Sequence, residues 1–180
     1  AISIPELNYN EVIEMAYYGA QIIHPKTIKP LQNKDIPLLV KSFIDPSLPG
    51  TVIHNKPVPH LPPIIVLKEQ QVLLEIRSRD FSFIGEHLVG QLYHLFEKWH
   101  LKPNLTQNGA ISFLCVLDDK QEKIGKLAQE AAALADVQLK RGLSLLTIRH
   151  YNQSVVDQLT KGKQILLRQQ TPETIQLLLS

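Results

Sequence analysis

One cysteine, one methionine and one tryptophan occur among the 180 residues, and the charges nearly cancel. Lys and Arg number 19 and Asp and Glu 17, which leaves a formal net charge of +2. Electrostatic binding of nucleic acid needs a clustered basic excess, so no nucleic-acid partner is predicted. The apolar runs are shorter than the roughly 20 residues of a membrane-spanning helix, so no membrane partner is predicted either. Cys115 has no second cysteine to pair with, which favours a reduced, cytoplasmic setting.

The first 43 residues predict two helices and a strand. Asn8 is a candidate helix N-cap with Glu11 at the spacing of a capping box, and Gly19 is a candidate left-handed stop. Pro25 suits the first turn of a second helix. The apolar run from Ile36 to Phe43 predicts a strand that is buried on both faces.

A change in composition then divides the chain. Residues 45–63 hold six of the twelve prolines and predict an extended connector. We therefore place a boundary near His60, with one domain over residues 1–60 and a second over residues 61–180.

The second domain contains an internal repeat, in which "VLLEIRS" at 72–78 recurs as "SLLTIRH" at 144–150. Each copy is followed by a predicted helix and two predicted strands, at 86–99, 101–106 and 111–117 in the first copy and at 154–160, 164–169 and 174–179 in the second. The first copy continues into a helix, "DKQEKIGKLAQEAAALA", and a strand, "DVQLKRG". This order is that of a ferredoxin-like βαββαβ unit.

The second copy stops before its last helix and strand, and "PIIVLKEQ" at 63–70 can complete its sheet. The predicted fold is therefore α+β, with two interlocked ferredoxin-like units. The first unit covers about 71–141, and the second covers about 142–180 plus the strand 63–70.

Neither the histidines nor the cysteine predicts a reactive site. His87 and His94 lie seven residues apart on one predicted helix, whereas a zinc-binding helix places two histidines four apart, and no metal is predicted. Cys115 lies in an apolar strand and is predicted to be a buried, inert thiol. No residue is assigned a catalytic role.

Two loops are candidates for binding a small molecule. "DFSFIG" at 80–85 joins a strand to a helix start, where free backbone N–H groups and the helix dipole favour a carboxylate. "PNLTQNG" at 103–109 places polar amides beside the adjoining strand, which would suit a zwitterionic amino acid. Ordinary loop and turn chemistry explains the same residues, and spacing alone favours that interpretation.

The stretch "EMAYYGAQIIHPKTIKPLQNKDIPLLVKSFIDPSLPGTVI" resembles the end of the amino acid kinase domain of aspartate kinases. The matching positions are Gly19, Ala20, Ile22, Ile23, His24, Pro25, Thr27, Ile36, Pro37, Gly50 and Thr51. The remainder resembles the tandem ACT regulatory region of the same family, in its topology and in "QVLLEIRS" and "NLTQN". The resemblance implies the C-terminal portion of an aspartate kinase, cut within its catalytic domain.

The intact family transfers phosphate from Mg-ATP to L-aspartate, giving 4-phospho-L-aspartate for lysine, threonine and methionine synthesis. The family's Lys-Phe-Gly-Gly-Thr phosphate-binding segment does not occur in this sequence. We therefore expect this chain neither to catalyse the reaction nor to hold a cofactor, with Mg-ATP a substrate of the intact enzyme only. Gln21 and Ile22 correspond to residues that border the nucleotide in relatives.

The resemblance also implies an effector site at an interface between ACT units of a homodimer. Relatives hold an amino acid there, typically lysine or threonine, with the loop after the first strand and with the second strand. The corresponding positions are Phe81, Ser82, Phe83, Ile84, Gly85, His87, Leu88, Asn104, Leu105, Thr106, Gln107 and Asn108. Asn104 stands where a lysine-sensitive relative often has Asp, and its amide carbonyl can accept a hydrogen bond from an ammonium group but supplies no charge.

Binding at that interface would favour one arrangement of the dimer, and the 45–63 connector would transmit it to the kinase active site. Two other functions remain open. One is an ACT-type dimerisation module without an effector, and the other is a stand-alone amino-acid-binding protein.

Overall fold

The computed structural model describes residues 2–20 and 23–180, which contain five helices and nine strands in two sheets. The helices are α1 (Tyr9–Tyr18), α2 (Pro25–Asn33), α3 (Glu86–Lys98), α4 (Gln121–Ala131) and α5 (Gln153–Thr160). The strands are β1 (Glu6–Asn8), β2 (Leu38–Val40), β3 (Thr51–His54), β4 (Ile64–Arg77), β5 (Leu105–Asn108), β6 (Ser112–Asp118), β7 (Asp136–Arg149), β8 (Ile165–Gln170) and β9 (Thr174–Leu179). Within the described ranges, no helix is long and apolar enough to cross a membrane.

The N-terminal elements form a small three-stranded sheet with two helices. The strand order is β1-β3-β2, with β1 parallel and β2 antiparallel to β3. Their core is a cluster of buried apolar side chains: Leu7, Tyr9, Val12, Met15, Ile28 and Ile53. The predicted helix ends are confirmed, because the Asn8 side chain accepts a hydrogen bond from the Glu11 N–H and Gly19 has a left-handed φ of 111°.

The prediction of a long strand buried on both faces at 36–43 is wrong. β2 has three residues, Leu39 is 54% exposed, and Phe43, beyond the strand, is 98% exposed. The physical reason is that β2 pairs only with β3 at the sheet edge. The predicted connector likewise contains a strand, β3, whose Val52 and Ile53 pair with both neighbours.

The second sheet has six strands in the order β5-β6-β4-β7-β9-β8. Its two central strands, β4 and β7, are each 14 residues long. Both contain a residue with left-handed backbone at mid-length, Gln70 (φ 52°) in β4 and Gly142 (φ 71°) in β7. Each long strand thus consists of two shorter strands joined at that residue.

This division accounts for the two repeat copies. The first copy uses β5, β6, the second half of β4 and the first half of β7. The second copy uses the second half of β7, β8, β9 and the first half of β4, which is the predicted strand 63–70. The α+β fold class with two interlocked ferredoxin-like units is confirmed.

Grouped by the proximity of its Cα atoms, the chain forms two compact units whose bounds differ from the domain bounds predicted from the sequence. The first contains the chain up to Val66, Thr147–Lys161 and Gln169–Gln176, and the second contains Leu67–Leu146, Gly162–Arg168 and Leu177–Ser180. The boundaries drawn from sequence, 1–60 and 61–180, remain a prediction.

The second compact unit has an apolar cluster on each face of its strands. Leu74, Cys115 and neighbouring residues pack with Leu92 and Phe96 of α3 and Ile124 of α4. The next residue along each strand points to the other face, where apolar side chains of all six strands form a second cluster: Leu73, Leu105, Leu114, Val116, Leu143, Leu145, Leu166, Leu167 and Leu178.

Gly142→Ala is expected to destabilise the protein by about 1–2 kcal/mol, because an L-residue is strained at a left-handed φ. Gly125→Ala in α4 is the matched control and is expected to stabilise by about 0.5–1 kcal/mol. An added Cβ meets no atom within 4 Å at either position, so backbone conformation alone separates the two. Urea unfolding of both variants measures the difference, and equal effects would contradict the role given to Gly142.

Candidate functional site

The predicted binding loop 81–85 is held by a carboxylate turn. Asp80 Oδ1 accepts hydrogen bonds from the Ser82 N–H (3.1 Å), the Ser82 hydroxyl (2.6 Å) and the Ser78 hydroxyl (2.8 Å). The hydrogen bonds from Ser82 and Ser78 lower the pKa of Asp80 to about 2. Phe81 and Phe83 are 80% and 83% exposed, so the turn presents two aromatic side chains to solvent.

The loop leads into an uncapped helix start. Gly85 is the N-cap of α3, and no side chain of the described residues caps it. The Ile84 N–H donates to the Ala110 carbonyl at 2.8 Å, which ties the loop to the β5–β6 turn. The first turn of α3, which contains His87 and Leu88, therefore offers backbone N–H groups to an anion.

Asn104 lies at the other end of β5 in a network of its own. Its Oδ1 accepts a hydrogen bond from Lys68 Nζ at 2.8 Å, and its Nδ2 donates to Gln71 Oε1 and Asp118 Oδ1, both at 2.8 Å. Burial opposes ionisation of Asp118, but hydrogen bonds from Gln71 and Asn104 and the charge of Lys68 lower its pKa overall. Both amide protons of Asn104 and one side of its carbonyl are thus already used.

The predicted effector residues therefore extend along β5, with Asn104 at one end and the loop 81–85 beside the turn at the other end. Four strand residues separate Asn104 from the turn beside the loop, which is about 13 Å at 3.3 Å per residue. Thr106 pairs with Cys115 and Leu105 with Val116, so the β5 side chains alternate between the two apolar clusters. Thr106 and Asn108 lie on the face that carries α3, whereas Leu105 and Gln107 lie on the other. Their role in binding remains a prediction.

The remaining candidate residues can be placed briefly. Gln21 and Ile22 lie outside the described residues. Cys115 is fully buried, and burial raises the pKa of its thiol well above the ordinary value. In the described part of the chain, no group of three or more His, Cys, Asp or Glu side chains could hold a metal ion.

A charged cluster that sequence reasoning missed lies in the first compact unit. Arg149 Nε donates to Glu11 Oε1 at 2.6 Å and Arg149 Nη2 to Glu11 Oε2 at 2.8 Å, a bidentate ion pair between residues 138 positions apart. Glu11 is 4% and Arg149 8% exposed. Thr174 Oγ1 accepts from Arg149 Nη1 at 2.8 Å, and His150 Nε2 lies 3.1 Å from Glu11 Oε2.

The cluster borders a recess of about 570 Å³ formed by α1, residues of the connector and the residues around the end of β7 and the start of β9. Burial alone would raise the pKa of Glu11, but the hydrogen bonds and charge of Arg149, with a contribution from His150, lower it overall. Hydrogen bonding to Glu11 raises the pKa of Arg149 further. The pair is therefore charged at neutral pH.

The capping-box spacing of Glu11 explains why its partner was missed. The hydrogen bond from the Glu11 N–H to the Asn8 side chain forms as in a capping box, but the Glu11 carboxylate binds Arg149. Arg149 occupies the repeat position of Arg77, whose side chain is 60% exposed and pairs with the nearby Glu75. A basic residue at the end of an apolar strand was the available signal, and it does not identify the partner.

The architecture, two ferredoxin-like units that share long central strands, is that of a tandem ACT-type fold. No family model matches the chain. Among curated proteins, it is 26% identical over 159 residues to aspartokinase 1 of Arabidopsis thaliana and 28% identical over 153 residues to lysine-sensitive aspartokinase 3 of Escherichia coli. The matches cover 82% and 81% of this chain but 28% and 34% of the relatives. The chain thus spans about a third or less of their length.

Solved structures agree on the fold. The aspartate kinase of Clostridium acetobutylicum aligns with a TM-score of 0.83 at 18% identity, over 99% of this chain and 45% of that one. A putative C-terminal regulatory domain of aspartate kinase from Porphyromonas gingivalis aligns with a TM-score of 0.54 at 12% identity, over 64% of this chain and 84% of that one. The resemblance drawn from sequence, to the C-terminal portion of an aspartate kinase, is confirmed by the curated relatives together with this fold.

Glu11→Gln is expected to reduce the pH dependence of stability on the acid side. The folded-state pKa of Glu11 lies below its ordinary value of 4.5, so its stabilising effect is present above that pH and is lost as the pH falls through the folded-state pKa. Urea unfolding between pH 6 and pH 3 measures this, with Glu75→Gln as the control beside the exposed Arg77. Parallel curves for the parent and Glu11→Gln would contradict the assignment.

Proposed function

We propose that this chain is the amino-acid-sensing, regulatory portion of an aspartate kinase. The whole enzyme would transfer phosphate from Mg-ATP to L-aspartate, giving 4-phospho-L-aspartate for the synthesis of lysine, threonine and methionine. This chain would not catalyse that step, because the phosphate-binding segment of the family is not in its sequence. A cytoplasmic homodimer joined through the ACT-type units is part of the proposal.

The observation that carries the proposal is the uncapped start of α3 beside an aromatic loop that begins with the hydrogen-bonded Asp80 turn. A free amino acid presents a carboxylate, and the first-turn N–H groups of α3 offer donors and a favourable dipole to it. The Asp80 turn fixes the approach to these donors, and Phe81 and Phe83 are exposed where an apolar side chain could pack. The fold that this chain shares with solved aspartate kinases supports the assignment of a regulatory portion.

The Asn104 network narrows the choice of effector. The Escherichia coli relative is named for lysine sensitivity. In this chain the Lys68 ammonium already binds the Asn104 carbonyl, so the side-chain ammonium of an incoming lysine would have to compete with Lys68 for that acceptor. We therefore propose an effector with an uncharged side chain, threonine or methionine, in preference to lysine.

The same network favours a second candidate function. Both amide N–H groups of Asn104 donate hydrogen bonds within the chain. No ligand is therefore needed to satisfy the hydrogen-bond donors of Asn104 at this end of β5. An ACT-type dimerisation module without an effector has this property. Binding measurements separate the two candidates.

Calorimetry of the 180-residue chain with L-threonine, L-methionine and L-lysine tests the proposal. We expect measurable heat with threonine or methionine, and binding of lysine no tighter than that of either, because Lys68 already occupies the Asn104 carbonyl. Phe83→Ala is expected to weaken binding. Phe43→Ala is the control, since Phe43 is also an exposed phenylalanine but lies far along the chain from the loop.

Absence of heat and of a thermal shift with all three amino acids would overturn the sensing function. Persistent dimers in sedimentation under those conditions would then favour the dimerisation module.

A further inference from the structure

The ion pair between Glu11 and Arg149 joins two segments of different resemblance. Glu11 lies in α1, whose second half belongs to the stretch that resembles a kinase domain, and Arg149 ends β7 of the repeat. The Asn8 cap holds the Glu11 backbone, and the Thr174 hydroxyl holds Arg149 Nη1. Both ends of the ion pair are therefore anchored in regular structure.

A second carboxylate lies within reach of the same guanidinium group. Glu173 Oε2 is 3.5 Å from Arg149 Nη2, and its side chain is 68% exposed. The Glu173 carbonyl accepts a hydrogen bond from the His150 N–H at 2.7 Å, so its backbone is tied to the residue after Arg149. Glu173 thus belongs structurally with β7 and β9, whereas Glu11 belongs with α1.

The surroundings make an exchange of partners feasible. Arg149 faces three carboxylates, because Glu14 Oε2 also lies 3.6 Å from Nη1. The five N–H groups of Arg149 are shared unequally among them: Glu11 holds the two short bonds, whereas the contacts with Glu14 and Glu173 are longer. The recess is lined by all three carboxylates and gives water a route to whichever one is released, which reduces the penalty of an unpaired charge even for the nearly buried Glu11.

We propose that Arg149 is a two-position switch that binds Glu11 in one state and Glu173 in the other. In the first state it links α1 to β7, and in the second that link is broken. The next step rests on the proposed function: the switch would couple amino-acid binding in the repeat to a change in the kinase-like segment. It provides the discrete two-state element that coupling requires, in addition to the proline-rich connector.

Urea unfolding of the 180-residue chain tests the exchange without any ligand. In the unsubstituted chain (the parent), Glu173→Gln is expected to change the equilibrium constant for unfolding by about twofold or less, because the contact of Glu173 with Arg149 is long and exposed. In a Glu11→Gln background, Arg149 depends on Glu173, and the same substitution is expected to change the constant by at least about fivefold. If Glu11→Gln does not fold, Glu11→Asp weakens the same bonds and takes its place.

The matched control uses the equivalent site of the repeat. Glu75→Gln removes the partner of Arg77, the counterpart of Arg149, and its effect should add to that of Glu173→Gln without interaction. An equal effect of Glu173→Gln in the parent and in the Glu11 variant would overturn the switch.

Hydrogen exchange of the α1 amides tests the coupling. Saturating L-threonine or L-methionine is expected to change α1 exchange rates by about fivefold or more in the parent and in Glu75→Gln. Glu11→Gln should bind with the same heat and show no change in α1. An equal α1 response in Glu11→Gln would overturn the coupling. If no amino acid binds, the proposed function fails, while the unfolding experiment still decides whether Arg149 exchanges partners.

Discussion

The sharing of β4 and β7 between the two repeat copies is the constraint on which the larger sheet depends. Each strand supplies the first strand of one copy and the last strand of the other, so neither copy completes its sheet without the other's strand. The left-handed residues Gln70 and Gly142 mark the division in both strands. Because the strands are central, a change of register in either one would disrupt ladders on both sides. The two copies are thus expected to fold as a cooperative pair.

The repeat made this architecture predictable from sequence. "LLEIR" and "LLTIR" marked equivalent strands, the strand at 174–179 has the predicted bounds, and Pro63 to Gln70 was assigned to the second copy although it precedes the first. The failures lie in the N-terminal segment. Burial of an apolar strand depends on how many neighbours it has, and sequence alone does not show that β2 is an edge strand. The short β3 was hidden by the surrounding prolines, which report local conformation and not pairing.

The candidate site was predictable to a lesser extent, and the reason is sequence distance. The loop at 80–85 and the start of α3 follow from local signals, and the structure places them as expected. Lys68, which binds Asn104, and Arg149, which binds Glu11, are 36 and 138 residues away from them, and no local pattern identifies either pair. Glu11 had a valid local explanation in the capping box, which concealed its long-range role. Polar side chains with two competing explanations are where sequence reasoning is least reliable.

Both polar clusters use a cation that the chain itself supplies. Lys68 neutralises the Asn104 and Asp118 group, and Arg149 neutralises Glu11. An incoming cation would compete with an internal one at either place, and such competition recovers only the difference between two similar interactions. An incoming carboxylate meets no such competitor at the start of α3, where the N–H donors have no capping side chain. The electrostatics of the described residues therefore favour an anion at the start of α3 more than an additional cation at the Asn104 end of β5.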